Sequence, residues 1–281
     1  GALLWIPAPV IAADAIPANR RPLAVGLMGS GIGFGILFIS TVSGRLRDSM
    51  GDAAWVDVYQ VQFYIGVVVM LLVFLLVRHQ QTKPSGGGGI GGFSALQRMP
   101  GWFPLTLAYG CFGFMYLLIL GFLTTRLEDD SGWTSVDASV AFSMLGVAMI
   151  FGGPVLTTLA QRFGVRRILS VAFGLWPVFT VILLSGITLP VWLACVGIGF
   201  LFSSLPSLIT LYVVENTTTE DYGASFAAAT LVFGIAQTIS PPIGGWIADT
   251  AGSFTLVFLL SAVTSLVGLV ATLRLPRSGG L

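Results

Sequence analysis

The chain has 281 residues, of which 55% are hydrophobic and only 9% are charged. A water-soluble domain carries about 25% charged residues, so a surface of this composition must face something other than water. The mean hydropathy of +0.92 agrees; the net charge of +1 says little about partners, and no basic stripe suggests nucleic acid.

Residues 1–17 are apolar but contain Pro7, Pro9, Asp14 and Pro17. They lack the basic opening of a signal peptide and read as the tail of a helix whose beginning is absent. A membrane span needs about 20 predominantly apolar residues. Eight further runs meet that test, at 22–44, 56–77, 102–125, 138–160, 168–187, 190–214, 223–247 and 253–273. A tight turn from Ser185-Gly186 to Pro190 separates the fifth run from the sixth. The longest loop, Arg78 to Met99, holds Pro84 and the tract Gly86-Gly87-Gly88-Gly89-Ile90-Gly91-Gly92 and reads as a flexible linker. At its end, Phe93 to Trp102 is expected to form a short interfacial helix with Arg98 outward. The expected fold is an all-α membrane protein with about nine transmembrane helices.

Lys and Arg favour the cytoplasmic side of a membrane protein. Alternate loops place Arg20, Arg21, Arg78, Lys83, Arg98, Arg162, Arg166, Arg167, Arg274 and Arg277 on one side. The other side has only Arg45, Arg47 and Arg126, among Asp48, Asp52, Asp57, Glu128, Asp129, Asp130, Asp137 and Asp249. The first side is expected to be cytoplasmic, with the C-terminus on it. Glu215, Glu220 and Asp221 make one of its loops acidic, an exception of little weight in this rule.

An internal repeat accompanies the spans. A shift of 201 residues lays Gly44, Asp48 and Gly51 on Gly245, Asp249 and Gly252, and Gly33 on Gly234. The pattern G-x-x-x-D-x-x-G closes a span in both copies. If the span from Trp102 opens the second unit, its counterpart begins about 100 residues before Gly1, and three spans are expected to precede the chain. The present spans then run from the end of the fourth helix to the twelfth. The expected domains are 1–77, the rest of a first six-helix half; 78–101, a cytoplasmic Gly-rich linker; and 102–281, a second half.

The segment Leu159-Ala160-Gln161-Arg162-Phe163-Gly164-Val165-Arg166-Arg167 resembles the cytoplasmic signature L-A-D-R-x-G-R-R of the major facilitator superfamily. The segment Gln237 to Asp249 looks like that superfamily's eleventh helix, and Gly26 to Gly44 its glycine-rich fifth. The resemblance covers the whole chain and is nearest to bacterial members of unassigned substrate. It implies two six-helix units joined by a cytoplasmic linker. It also implies a gating role for Gln161, Arg162, Gly164, Arg166 and Arg167. The family's carboxylate, which helps to latch the two halves, is here replaced by Gln161. The Gly-Pro pair of the antiporter motif is missing, so no antiport is inferred.

A transporter needs polar groups on inner helix faces, and residues three and four apart share a face. Tyr109, Gly113 and Tyr116 line one such face; Ser203, Ser207 and Thr210 a second; Thr230, Gly234 and Gln237 a third. The resemblance puts a central cavity against these helices, and its candidate residues are Tyr109, Tyr116, Ser203, Ser207, Thr230 and Gln237. Aromatic rings pack flat organic molecules, and hydroxyl and amide groups orient them. The competing reading is structural: Ser and Thr bond back to their own helix, and tyrosines form interfacial belts. Gly29 with Gly33, and Gly31 with Gly35, have the GxxxG spacing of close helix packing. Gly146, Gly152 and Gly153 thin another span, and Gly234 is a further packing candidate. In the superfamily the spans of Gly29–Gly35 and Gly146 meet across the interface between halves. Pro206, Pro241 and Pro242 are candidate kinks.

The chemistry of an enzyme is poorly represented. Cys111 and Cys195 lie apart in apolar runs, and His79 is the one histidine. No metal site, catalytic cluster or cofactor is expected. No charged residue lies near the middle of a complete span, while Asp14 and Asp57 sit at span ends as weak candidates for proton coupling. The leading expectation is secondary active or facilitated transport of a small organic solute by alternating access. The expected location is the plasma (inner) membrane, multi-pass, with the lipid bilayer, the solute and a compatible coupling ion as partners. The alternative is a non-transporting sensor or assembly protein, an incomplete remnant of a transporter.

Overall fold

The computed structural model describes residues 20–76 and 91–276. The helix tail at 1–17 with Asp14, the residues Arg78, His79 and Lys83, the glycine tract up to Ile90, and Arg277 lie outside the described residues. Helices follow one another in the order α1 Arg21–Met50, α2 Trp55–Leu76, α3 Gly91–Arg98, α4 Trp102–Leu120, α5 Leu123–Asp129, α6 Ser135–Phe163, α7 Val165–Leu183, α8 Thr188–Asn216, α9 Thr219–Ala251 and α10 Thr255–Leu273. Eight stretches are long and apolar enough to cross a membrane, α4 and α5 counting as one. They coincide with the eight apolar runs of the sequence.

Several helices outrun the apolar residues that signal them, because their ends are set by caps. The Thr134 hydroxyl accepts from the Asp137 N–H at 3.1 Å and starts α6. The Thr218 hydroxyl accepts from the Asp221 N–H at 3.2 Å and starts α9. Such caps satisfy donors that the first helical turn leaves free. The repeat also has a structural counterpart. Gly51 after α1 and Gly252 after α9 both have positive φ, 65° and 64°, which glycine adopts without steric cost, although their ψ angles of −152° and 20° differ.

Two details differ from the sequence reading. The run 102–125 is not one helix: α4 stops at Leu120, and the Gly121 and Phe122 N–H groups bond to the Leu117 and Ile119 carbonyls at 2.9 and 3.2 Å. The short α5 then continues toward Asp129. The turn before α8 also ends sooner than Pro190, which lies in the helix's first turn. Proline fits there because the missing N–H has no helical partner.

The helix ends sort by charge. Arg98, Arg162, Arg166, Arg167 and Arg274 lie at one face, and Arg47, Arg126, Glu128, Asp130 and Asp137 at the other. We call them the basic and acidic faces. On the basic face, α3 packs on the start of α9. A Cβ on Gly92 would lie 3.0 Å from the Ala224 carbonyl, and Arg98 holds Asp221 at 2.7 Å. That carboxylate keeps the guanidinium above its ordinary pKa range. On the acidic face, Arg47 of α1 forms a two-pronged pair with Glu128 of α5, at 2.9 and 3.0 Å. Asp130 caps α10 by accepting from the Phe254 N–H at 2.9 Å. Arg126 is buried and donates to the Leu184 carbonyl at 2.8 Å, placing its charge at the negative end of α7.

Lipid tails are as apolar as leucine, so helices in a bilayer associate through close contact and hydrogen bonds. The contact between α1 and α6 is of that kind. Gly26 meets Pro154, Gly33 meets Gly146 and Ile150, and Gly44 meets Ser139, each with less than 3.0 Å of room for a Cβ. Between these knuckles, Ser30 donates to the Ile150 carbonyl and Ser40 bonds Ser143. The contact runs antiparallel along both helices. A second contact joins α6 to α8, where Gly152 lies against the Phe200 carbonyl and Gly199 against the Leu145 carbonyl. Of the glycines expected to pack, Gly29, Gly33 and Gly146 stand at contacts; a Cβ on Gly29 would lie 3.0 Å from the Ser203 carbonyl. Gly31, Gly35 and Gly234 do not: no described atom comes within 4 Å of a Cβ there. The sequence spacing of Gly31 and Gly35 puts them on a different side of α1 from Gly29 and Gly33.

The remaining bundle is tied by buried polar bonds. Trp176 of α7 donates to the Ser261 hydroxyl of α10 at 3.1 Å, and Ser261 donates to the Met115 carbonyl of α4 at 2.8 Å. Helix α2 has no buried residue among those described, and beyond Asp57, Gln60 and Gln62 it carries no charged or amide side chain.

A Cβ on Gly152 would fall 2.0 Å from the Phe200 carbonyl oxygen. Gly152→Ala is therefore expected to cost about 1–3 kcal/mol through overpacking. Gly35→Ala is expected to stay within about 0.5 kcal/mol of the parent or slightly above it. Unfolding of both variants in detergent micelles checks this pair.

Candidate functional site

The sequence candidates fall into two groups. Tyr109 and Tyr116 lie on one face of α4, and Phe226, Thr230, Phe233 and Gln237 lie on one face of α9, at spacings of four, three and four. These faces meet. Glycine allows the approach, since a Cβ on Gly113 would lie 2.6 Å from the Phe233 carbonyl oxygen. The Tyr116 hydroxyl donates to the Gln237 Oε1 at 2.8 Å.

Around this bond the rings form a continuous wall. Phe233 stacks on Tyr109 at 4.6 Å, on Phe112 at 5.8 Å and on Tyr116 at 5.9 Å between centroids. Phe112 stacks on Tyr116 at 5.2 Å, and Phe202 of α8 meets Tyr116 edge-on at 5.1 Å. Tyr109 and Phe112 are fully buried, whereas Tyr116, Phe233 and Gln237 are half-buried. The exposed part of the wall thus presents two ring surfaces and one amide. Thr230 has a buried hydroxyl with no hydrogen-bond partner among the described residues, and so have Tyr222, Ser225 and Ser240 of the same helix. Phe112, Phe202, Phe226 and Phe233 were not among the sequence candidates. Their signal was available in the spacing of Phe226, Thr230, Phe233 and Gln237, but phenylalanine in an apolar span reads first as packing.

Ser203 and Ser207 belong elsewhere. Ser203 is fully buried and its hydroxyl accepts from the Gly153 N–H of α6 at 3.0 Å. Ser207 bonds back to the Ser203 carbonyl at 2.9 Å and lies beside Gly29 of α1. These two hydroxyls join α8 to α6 and α1, away from the aromatic wall. Thr210 bonds back to the Pro206 carbonyl at 2.8 Å.

The basic-face motif takes the form of a sharp break between α6 and α7. Gly164 has φ of 85° and closes α6, while Gln161 and Arg162 are exposed. Arg166 donates to the Leu273 carbonyl at the end of α10. Arg166 and Arg167 line a surface cleft of about 730 Å³ with Phe163 and Leu273. Arg166 therefore ties α7 to α10. No group of three metal-ligating side chains occurs among the described residues.

Comparison with known proteins follows this geometry. The chain is 29% identical over 152 residues to the Arabidopsis thaliana protein zinc induced facilitator-like 1, covering 52% of this chain and 30% of that one. It is 26% identical over 174 residues to the Escherichia coli raffinose permease, covering 54% and 41%. It is 26% identical over 162 residues to monocarboxylate transporter 12 of Rattus norvegicus, covering 56% and 32%. The chain thus spans between about a third and two fifths of these relatives. Among solved structures, the Escherichia coli fucose:proton symporter FucP superposes with a TM-score of 0.67 at 19% identity, over 96% of this chain and 72% of that one. A bacterial homologue of the iron transporter ferroportin in an outward-facing state gives 0.59 at 16% identity, over 94% and 66%. The family described as the uncharacterised MFS-type transporter YbfB matches residues 1–273. With that match and this fold, the chain belongs to the YbfB family of MFS-type transporters.

Proposed function

We propose that the protein carries a small, neutral, ring-bearing organic solute across a membrane by alternating access. The observation that carries this reading is the half-buried surface of Tyr116, Phe233 and Gln237, where flat rings border one oriented amide. Rings supply apolar contact area to one face of a solute, and the amide supplies direction. Family membership supports transport as the task. The relatives include a permease for raffinose and a symporter for fucose and protons, and a ring-bearing polyol suits this surface. The mid-depth groups of the described spans are polar and uncharged, which suits a facilitator, or a carrier that takes its coupling ion through residues other than these.

The chemistry of solute passage asks little of this site. No covalent bond needs to form, so the residues act by binding, orienting and excluding water. The Tyr116–Gln237 bond fixes the amide plane, leaving the Gln237 NH2 group to donate to a solute oxygen. Orientation in the membrane follows from charge. We place the basic face and the C-terminal end of α10 in the cytoplasm, in a plasma (inner) membrane, because Arg98, Arg162, Arg166, Arg167 and Arg274 gather there.

A double-mutant cycle between Tyr116→Phe and Gln237→Leu is expected to give a coupling of about 0.5–1.5 kcal/mol in unfolding experiments, the worth of one hydrogen bond. Additive effects of the two changes would remove the bond from the account. For the function itself, the purified chain is screened by thermal shift against a hexose, a disaccharide and a nucleoside. At least one is expected to bind, with Gln237→Ala weakening it about tenfold. A panel that binds nowhere, or that binds parent and variant alike, contradicts the assignment of this wall as the solute site.

A further inference from the structure

A cleft of about 670 Å³ opens on the flank of the bundle between α1, α6 and α8. It is separate from the aromatic wall, sharing no residue with it. Its walls divide by chemistry. Val140, Val147, Phe151 and Phe200 supply apolar surface, and Val140, Val147 and Phe151 are among the exposed large hydrophobic side chains. Ser40 and Thr41 of α1 and Ser143 of α6 form a strip of hydroxyls at the seam. Arg45 stands at the end nearest the acidic face.

Arg45 differs from the other arginines of that face. Arg47 is paired with Glu128, and Arg126 is buried on the carbonyl of Leu184. Arg45 is exposed and has no ion pair among the described residues. It lies five positions beyond Ser40 on α1, about 7.5 Å along the helix axis at 1.5 Å per residue. Along α6 the lining runs from Val136 to Phe151, about 22 Å by the same rise. Half a bilayer measures about 20–22 Å including its polar layer, of which hydrocarbon is about 15 Å. The cleft therefore has the length of one leaflet, a cation at headgroup depth, hydroxyls below it, and apolar walls from there inward.

We propose that this cleft holds one anionic phospholipid, with an acyl chain along α6 and the phosphate at Arg45. Guanidinium matches phosphate oxygens in shape and charge, and does so best where water is partly excluded. The occupant is a lipid rather than a free anion because most of the lining is hydrocarbon. It is anionic rather than zwitterionic because no carboxylate lines the cleft to meet a choline or ethanolamine head. The cleft also straddles the contact between α1 and α6, so a bound lipid touches both sides of that seam. The proposal depends on the membrane fold and not on the solute reading, and the two fail separately.

The test uses the full chain, stripped of lipid in detergent. Dioleoyl phosphatidylglycerol or dioleoyl phosphatidylcholine is added back, and retained lipid is counted by native mass spectrometry. One phosphatidylglycerol per chain is expected, held about fivefold more tightly than phosphatidylcholine. Arg45→Gln is expected to abolish that preference. Val147→Trp, which fills the cleft without changing charge, is expected to weaken both lipids, while Val267→Trp on the exposed flank of α10 leaves both unchanged. Equal retention of the two lipids by the parent, or a preference that survives Arg45→Gln, overturns the proposal. So does protection by soluble glycerol phosphate equal to that by phosphatidylglycerol, which would assign Arg45 to a free anion.

Discussion

Close approach of helix backbones is the constraint on which this structure depends. A bilayer offers no water to the polar backbone, so each span satisfies its own hydrogen bonds as a helix. It then gives helices little hydrophobic reason to associate, leaving short-range contact and hydrogen bonds to do so. Here the contact is made by glycine set against backbone: Gly26 and Gly33 of α1 on α6, Gly152 and Gly199 between α6 and α8, and Gly113 of α4 under α9. Where a side chain intervenes it is small and hydroxylated, as with Ser30, Ser40 and Ser143. Such a seam holds by many close contacts and a few hydroxyl hydrogen bonds.

Helix α8 connects that seam to the aromatic wall. Its Ser203 accepts from Gly153 on one side, and the adjacent Phe202 meets Tyr116 and Phe112 on the other. The seam and the aromatic wall are thus one residue apart on α8. The acidic face carries a further tie, Arg47 to Glu128, between α1 and α5. On the basic face Arg98 ties α3 to α9. The two ends of the molecule are thus joined by ion pairs, and the middle by close packing and buried hydrogen bonds.

Much of the fold was legible because a span is a long signal. Eight runs of apolar residues gave eight crossing stretches, and the glycines of the G-x-x-x-D-x-x-G pattern gave the positive φ angles at Gly51 and Gly252. Helix ends were less legible, because Thr134 and Thr218 extend helices through polar residues that hydropathy discounts. The site was legible in part. Tyr116 shares a face of α4 with Tyr109, and Gln237 a face of α9 with Thr230, and an amide in a span needs a partner. Ser203 and Ser207 have the same polar character but face a glycine of the next helix, and only the packing partner reveals that. For the same reason Gly31 and Gly35 match the packing spacing of Gly29 and Gly33 yet lie off the contact.

The central claim is that α1 and α6 meet along the serine and glycine seam, and paired cysteines in native membranes test it most directly. Ser40→Cys with Ser143→Cys replaces two hydroxyls in direct contact. Gly35→Cys with Ser143→Cys is the matched control, since Gly35 faces no described atom within 4 Å. The account predicts rapid disulfide formation in the first pair under mild oxidation and none in the second. Equal cross-linking of the two pairs, or none in the first, would contradict it.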